Sequence, residues 1–451
     1  MNKKTELFET TPIPKAALTF AMPMVLGMLV TVVYILVDMF FVAQTGDPNQ
    51  VAALTISTPV FMLCMAAGNI FGIGGASYIS RLMGLKDYDR AKGTAAFAFY
   101  MSIALGIVVS ILLFLLMDDI LPMIGATAQT EAFARGYLTW IAVGASTIVL
   151  RFAMGEIVRS VGAAKEAMIG MMLGTVLNII LDPIMIFTLN MGIVGAALAT
   201  VISNTVSVAY FIWLIVAKDY PLSISPKHFR PDKTLVISVI AIGFPVALRE
   251  LLFSVSQMVF NFFGAQHGEA FLAAIGIANV IVLLPIMAVL GLSQGVQPLL
   301  GYTYTAGLHK RLRGVLKFTL IVAVASATVL TAIVYLFGGG MVTTFIDNAD
   351  VVAQGQYIIY RFTWSIPILG VLFVLSTVFQ AFGKAKQALI LSIARQGFVL
   401  IPLLFILNYA FGRDGLIFSL PIADTASMLI CVILFLPVLR EIGREDKSLI
   451  N

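Results

Sequence analysis

The stretch VRSVGAAKEAM, residues 158–168, returns as VFQAFGKAKQAL at 378–389, which puts Gly162 and Gly383 221 residues apart. The same spacing separates Gly93, after DRA, from Gly314, after KRL, and Ala53 in AALTI from Ala274 in AAIGI. Pro23 and Pro245 differ by 222, and GAALATVISNTVS (195–207) aligns with GLIFSLPIADTAS (415–427) at an offset of 220. An offset held this nearly constant across most of both halves makes the chain two copies of one unit.

Each copy contains six apolar runs. The expected spans are 16–43, 52–80, 95–117, 136–158, 166–188 and 194–216, then 235–264, 271–302, 317–338, 353–381, 387–410 and 416–438. Each approaches or exceeds the roughly 20 residues a helix needs to cross a bilayer. The fold class is therefore an all-α polytopic membrane protein of about twelve transmembrane helices in two pseudo-symmetric six-helix bundles. An even number per half inserts both copies the same way up, a parallel repeat. The longest connection, Lys218 to Thr234, holds Pro221, Pro226 and Pro231 and four cations. It divides the chain into an N-lobe (1–217), a linker (218–234) and a C-lobe (235–451).

Composition agrees. Of the 451 residues 60% are hydrophobic and 11% charged, against roughly 25% charged in soluble proteins, and the mean hydropathy is +1.00. The gaps between runs alternate in charge. Arg81, Lys86, Arg90 and Lys92 lie in the second, Asp118, Asp119 and Glu131 in the third, Arg159 and Lys165 in the fourth. Lys384, Lys386 and Arg395 make another basic gap, and Arg413 is the weak exception. Lys and Arg collect on the cytoplasmic side, so both termini are expected in the cytoplasm, in a bacterial inner membrane. The N-terminal basic stretch runs into a span-length segment with no nearby small-residue cleavage site, which reads as an uncleaved anchor.

Several function classes are disfavoured. The net charge of +5 is spread along membrane edges and gives no nucleic-acid patch. Cys64 and Cys431 both fall inside apolar runs and read as core residues. His228, His267 and His309 are far apart, and no metal spacing is evident. No nucleophile–base pair or phosphate loop with Lys and Ser/Thr occurs, and the gaps are too short for a catalytic domain. The protein is not expected to be an enzyme or an ATP-driven pump.

Charged residues within spans are the candidate functional groups, because a carboxylate at the bilayer centre costs about 2.5–3.5 kcal/mol on insertion scales. Asp182 lies deep in the fifth span, in LNIILDPIMIF. Asn178, four residues earlier, shares its helical face. Pro183 has no N–H, which frees the carbonyl of Ile179 and should kink the helix. An acid, an amide and a loosened turn make a candidate proton or cation site; the alternative is a structural bond to a neighbouring helix. Asp38, in YILVDMFFVAQTG, is the second acid. Its repeat position is Val259 and that of Asp182 is Leu403, so the symmetry is broken where charge appears. Glu250 faces either a central cavity or a distant Arg such as Arg361. Its neighbour Arg249 points about 100° away on a helix. Glu156 and Arg159 are spaced for a local ion pair. Asp424, the repeat partner of Asn204, is a C-lobe candidate, and Arg151 has no assigned role. The 21 Met and 32 Phe can build an adaptable apolar pocket.

Six segments in order resemble the multidrug and toxic compound extrusion (MATE) transporters over nearly the whole length. They are YILVDMFFVAQTG, SRLMGLKDYDRAKG, VRSVGAAKEAM, LNIILDPIMIFTLNMGIVGAALAT, LSQGVQPLLGYTYTAG and FQAFGKAKQALILSIARQGFVLIPLLF. The last two resemble the bacterial drug-efflux branch. The resemblance implies two six-helix lobes, a V-shaped cleft and export of small amphipathic organic cations by alternating access, coupled to inward H⁺ or Na⁺. It places a cation site on Asp38, Asn178, Asp182 and Thr200, with Tyr137 nearby, and a further acid at Glu250. The companion acid on the tenth helix has no counterpart here. No cofactor is expected beyond the coupling ion, and Na⁺ would use the same four residues. One chain carries both lobes, so a monomer suffices. The competing expectation is a lipid-linked precursor flippase of related fold, which would need a strongly cationic cavity.

Overall fold

A computed structural model describes residues 3–345 and 348–448; the acidic gap residue Asp347 lies outside them. The described residues form helices and connecting turns, with no strand among them. A short helix, Lys3–Glu9, precedes α1 (Ile13–Ala43), α2 (Pro48–Gly84), α3 (Tyr88–Leu115), α4 (Glu131–Ser160), α5 (Ala164–Pro183) and α6 (Gly192–Ala217). The second series is α7 (Lys233–Gln266), α8 (Glu269–Thr305), α9 (His309–Phe345) and α10 (Ala349–Phe362, continuing through a 3₁₀ turn at Thr363–Ser365 into Ile366–Ala381). The last two spans run on from Ala385. Gly412, at φ 57° and ψ −132°, breaks them into α11 before it and α12 after it. That backbone conformation is open to glycine and strained for other residues. Every expected span is thus a helix, most with ends a few residues longer than read from the sequence.

The opening motif has a backbone reason. Gly162 and Gly383 have φ of 87° and 71°, and each turns the chain sharply out of the long helix before it, α4 or α10. A left-handed residue just past a helix end caps its last carbonyls, and glycine adopts it without strain.

By contacts the chain divides into two units. The N-unit is Val30–Ala247; the C-unit is Met1–Leu29 together with Leu248–Asn451. These borders fall inside α1 and α7 rather than at the 218–234 connection. The first half of α1 belongs with the second repeat, and the first half of α7 with the first. Close backbone approach explains the placement. In the C-unit a Cβ on Gly295 would lie 2.6 Å from the Cα of Ala21, so α8 and α1 touch main chain to main chain. In the N-unit Gly74 does the same for α2 against Val239 of α7. Helices in lipid gain little from burying apolar surface against one another, so small residues that permit close van der Waals contact decide which helices pair.

Within the N-unit, α4 is the central helix. Ile141, Ile148 and Ile157 on it are fully buried. A Cβ on Gly72 of α2 would lie 2.9 Å from the Cα of Ala153, and Gly106 of α3 packs on Ser146. Cys64 and Cys431 are buried free thiols, as expected. Glu156 and Arg159, both buried, form the expected ion pair.

Candidate cation-coupling site

Asn178 and Asp182 lie one turn apart on α5 and bond directly, Asn178 Nδ2 donating to Asp182 Oδ1 at 3.1 Å. The same amide nitrogen reaches Thr200 Oγ1 on α6 at 3.4 Å. Asn204 Nδ2, one turn further along α6, donates to the Thr200 carbonyl at 2.7 Å. Helices α5 and α6 come close enough for this because Gly174 lies against Ser207 and the Ser203 carbonyl, leaving no room for a Cβ. Beyond Pro183 the helix widens into a π turn, Ile184–Thr188, closed by the Leu189 N–H to the Ile184 carbonyl at 2.9 Å. The expected loosening at Pro183 therefore takes the form of a wide turn, a deformation often found at functional sites.

Asp38 reaches this group from the far half of α1, and its carboxyl interacts side chain to side chain with that of Asp182. Tyr34, one turn before Asp38, interacts with the Thr200 side chain and lies within electrostatic reach of both acids. Tyr137 on α4 is buried within electrostatic reach of Asp38, Tyr34 and Asp182. Asp182 is fully buried and Asn178 is 2% exposed. Three oxygens have no hydrogen-bond partner: Asp38 Oδ1, Asn178 Oδ1 and Asp182 Oδ2. Two neighbouring carboxylates repel strongly in a low-dielectric interior unless positive charge lies between them. Unpartnered acceptor oxygens beside a hydroxyl form a donor set for a hard cation or a proton.

The sequence-expected residues thus separate. Asp38, Tyr137, Asn178, Asp182 and Thr200 converge in the N-unit, with Pro183 at its edge. Glu250 belongs to the C-unit, where Arg249 Nη2 approaches its Oε1 at 3.7 Å; the long guanidinium bridges the angular offset that sequence neighbours have on a helix. Asp424 takes Arg395 Nε at 2.9 Å and the Ser365 hydroxyl at 3.0 Å. Arg395 is therefore no connecting-gap cation: it lies within a π segment of α11, Ala394–Leu400. Arg361 lies on the Tyr357 ring, 3.2 Å from its centroid, and Arg151 lies 4.7 Å from the Phe152 centroid. Tyr34 was missed by sequence reasoning. Its signal was its place four residues before Asp38, on the same helical face.

Two repeated six-helix units of membrane-spanning length, one of them holding a buried oxygen-rich site, describe a polytopic membrane protein. The MatE family model matches residues 23–184 and again 245–406, once in each repeat, and the chain belongs to that family. Multidrug export protein MepA of Staphylococcus saprophyticus is 34% identical over 441 residues, 98% of this chain and 97% of that protein. MepA of Staphylococcus aureus strain MSSA476 is 35% identical over 95% of each. Among solved structures, a multidrug resistance MATE family transporter of the MOP superfamily in an outward-facing conformation superposes with TM-score 0.91 at 26% identity, covering 99% of both chains. A MATE structure in a bent conformation gives 0.89 at 26% identity.

Proposed function

We propose that the protein is a cation-coupled exporter of amphipathic organic cations working by alternating access, in a bacterial cytoplasmic membrane with both termini inside. The observation that carries this is the buried Asn178–Asp182–Thr200 group beside Asp38, with Asp38 Oδ1, Asn178 Oδ1 and Asp182 Oδ2 unpartnered. With both carboxylates ionised the N-unit holds negative charge that attracts an organic cation. Entry of H⁺ or Na⁺ between them neutralises that charge and releases the drug. The π turn after Pro183 is the flexible part of α5 that this event bends. A coupling ion drives such a cycle only by binding one conformation better than the other. Thr200 and Asn178 orient the acids, and Na⁺ would be held by their oxygens with those of Asp38 and Asp182.

The multidrug export function of the MepA relatives supports this reading over a flippase. So does the state of the arginines. Arg249 and Arg395 face acids, and Arg361 lies on an aromatic ring and donates to the Tyr357 carbonyl at 3.1 Å, so these three cations are already engaged. The test is accumulation of a fluorescent organic cation in bacterial cells lacking their own exporters. The wild-type chain should lower accumulation and Asp38→Asn should restore it at equal expression; unchanged accumulation with the wild-type chain would refute the assignment.

A further inference from the structure

The segments that lead into α1 and α7 are docked in part by residues that recur at the repeat offset. Ahead of α1, Phe8 is 1% exposed. It stacks on Tyr302 with centroids 4.5 Å apart and meets Phe20 at 5.1 Å. The Tyr302 hydroxyl donates to Glu9 Oε1 at 2.6 Å. Arg311 donates to the carbonyls of Phe8 at 2.6 Å and Leu7 at 3.2 Å. These lie at the end of the short helix, where carbonyls have no partner within the helix. Ile13 then packs its Cδ1 against Gly314, close to where a Cβ would lie. All these residues belong to the C-unit.

Ahead of α7, Phe229 stacks on Phe97 with centroids 6.4 Å apart and meets the edge of Tyr100 at 5.3 Å. The Tyr100 hydroxyl donates to the Ile224 carbonyl at 2.9 Å, and Arg90 reaches Asp232 at 3.5 Å. A Cβ on Gly93 would lie 3.4 Å from the His228 carbonyl. All these belong to the N-unit. Phe8 and Phe229, Arg90 and Arg311, and Gly93 and Gly314 are each 221 residues apart. Gly74 beneath α7 and Gly295 beneath α1 share that offset. A chain end that merely packs where it falls would not share its anchors with an internal connection.

We propose that these lead-ins are a matched pair of straps that stay closed throughout transport. They fix the starts of α1 and α7, so the conformational change is absorbed within those helices, where the units divide at Leu29–Val30 and Ala247–Leu248. This rests on the alternating-access reading.

The experiment uses the full chain in liposomes, with Cys64→Ala and Cys431→Ala as background. Ile13→Cys with Gly314→Cys bridges one strap, and Gly93→Cys with His228→Cys the other, each joined by a short reducible thiol cross-linker. Flux is measured before linking, after linking and after reduction. Linked protein should keep at least about half its unlinked rate, because a strap that never opens loses nothing by being locked. Arrest on linking, reversed by reductant, would overturn the proposal. If the cysteine pairs do not transport even unlinked, Phe8→Ala with Phe229→Ala decides. Turnover should fall about threefold or more with coupling-cation affinity unchanged; unchanged turnover would overturn it. Absence of flux in the wild-type chain would refute the transport reading itself. The straps would then be judged by amide exchange: protection at Leu7–Glu9 lost in Arg311→Gln supports them, and no protection in the wild-type chain overturns them.

Discussion

Replacing Asp182 by Asn removes one charge and almost no volume from a fully buried position. Its Oδ1 accepts from Asn178 at 3.1 Å while Oδ2 has no partner, so an amide that turns its oxygen toward Asn178 keeps the existing bond. The stability change should be about 1 kcal/mol or less, the net worth of an ordinary hydrogen bond. Function should suffer far more. A cation about 4 Å from a carboxylate gains about 4 kcal/mol at an effective dielectric near 20. At about 1.4 kcal/mol per tenfold, that is close to three orders of magnitude in coupling-cation affinity. The assay pairs cation binding by titration calorimetry with ion-driven drug flux in liposomes, and a thermal melt verifies folding. Affinity and flux within about threefold of wild type in a folded Asp182→Asn protein would refute the assignment of Asp182 as the coupling acid.

Gly174→Leu should force α5 away from Ser207 and Ser203, costing about 1–3 kcal/mol by overpacking; a detergent melt that stays put would contradict the backbone-contact account. Arg395→Met strands Asp424 without its main partner and should cost about 3–5 kcal/mol, whereas Arg395→Met with Asp424→Leu should recover most of it. A double variant no more stable than the single one would show that the pair is not the cause. Pro183→Ala restores the missing N–H and should tighten the turn at Ile184–Thr188, slowing coupled flux at unchanged drug affinity; flux equal to wild type would remove Pro183 from the mechanism.

The twelve spans, the repeat and the pairing of Asn178 with Asp182 were legible in the sequence because they rest on local periodicity and a fixed offset. Asp38 could be flagged as an unpaired acid in an apolar run, but its meeting with Asp182 joins α1 to α5 and no local pattern encodes that. The resemblance to MATE transporters supplied it, along with Thr200. Arg395 was misplaced because a cation near the start of a span looks like an edge residue until a partner such as Asp424 is found on another helix. The borders inside α1 and α7 were also hidden. They follow from glycines such as Gly74 and Gly295, whose meaning lies in the backbone that approaches them.

The central claim is that the Asp38–Asp182 group exchanges a coupling cation for drug. Its most direct test loads liposomes containing purified protein with a fluorescent organic cation and imposes a proton gradient or a sodium gradient separately. Drug movement against its own gradient under at least one ion gradient, abolished in the paired Asp38→Asn and Asp182→Asn variant, is the predicted result. Drug movement that ignores both gradients, or that survives loss of both acids, would contradict the account.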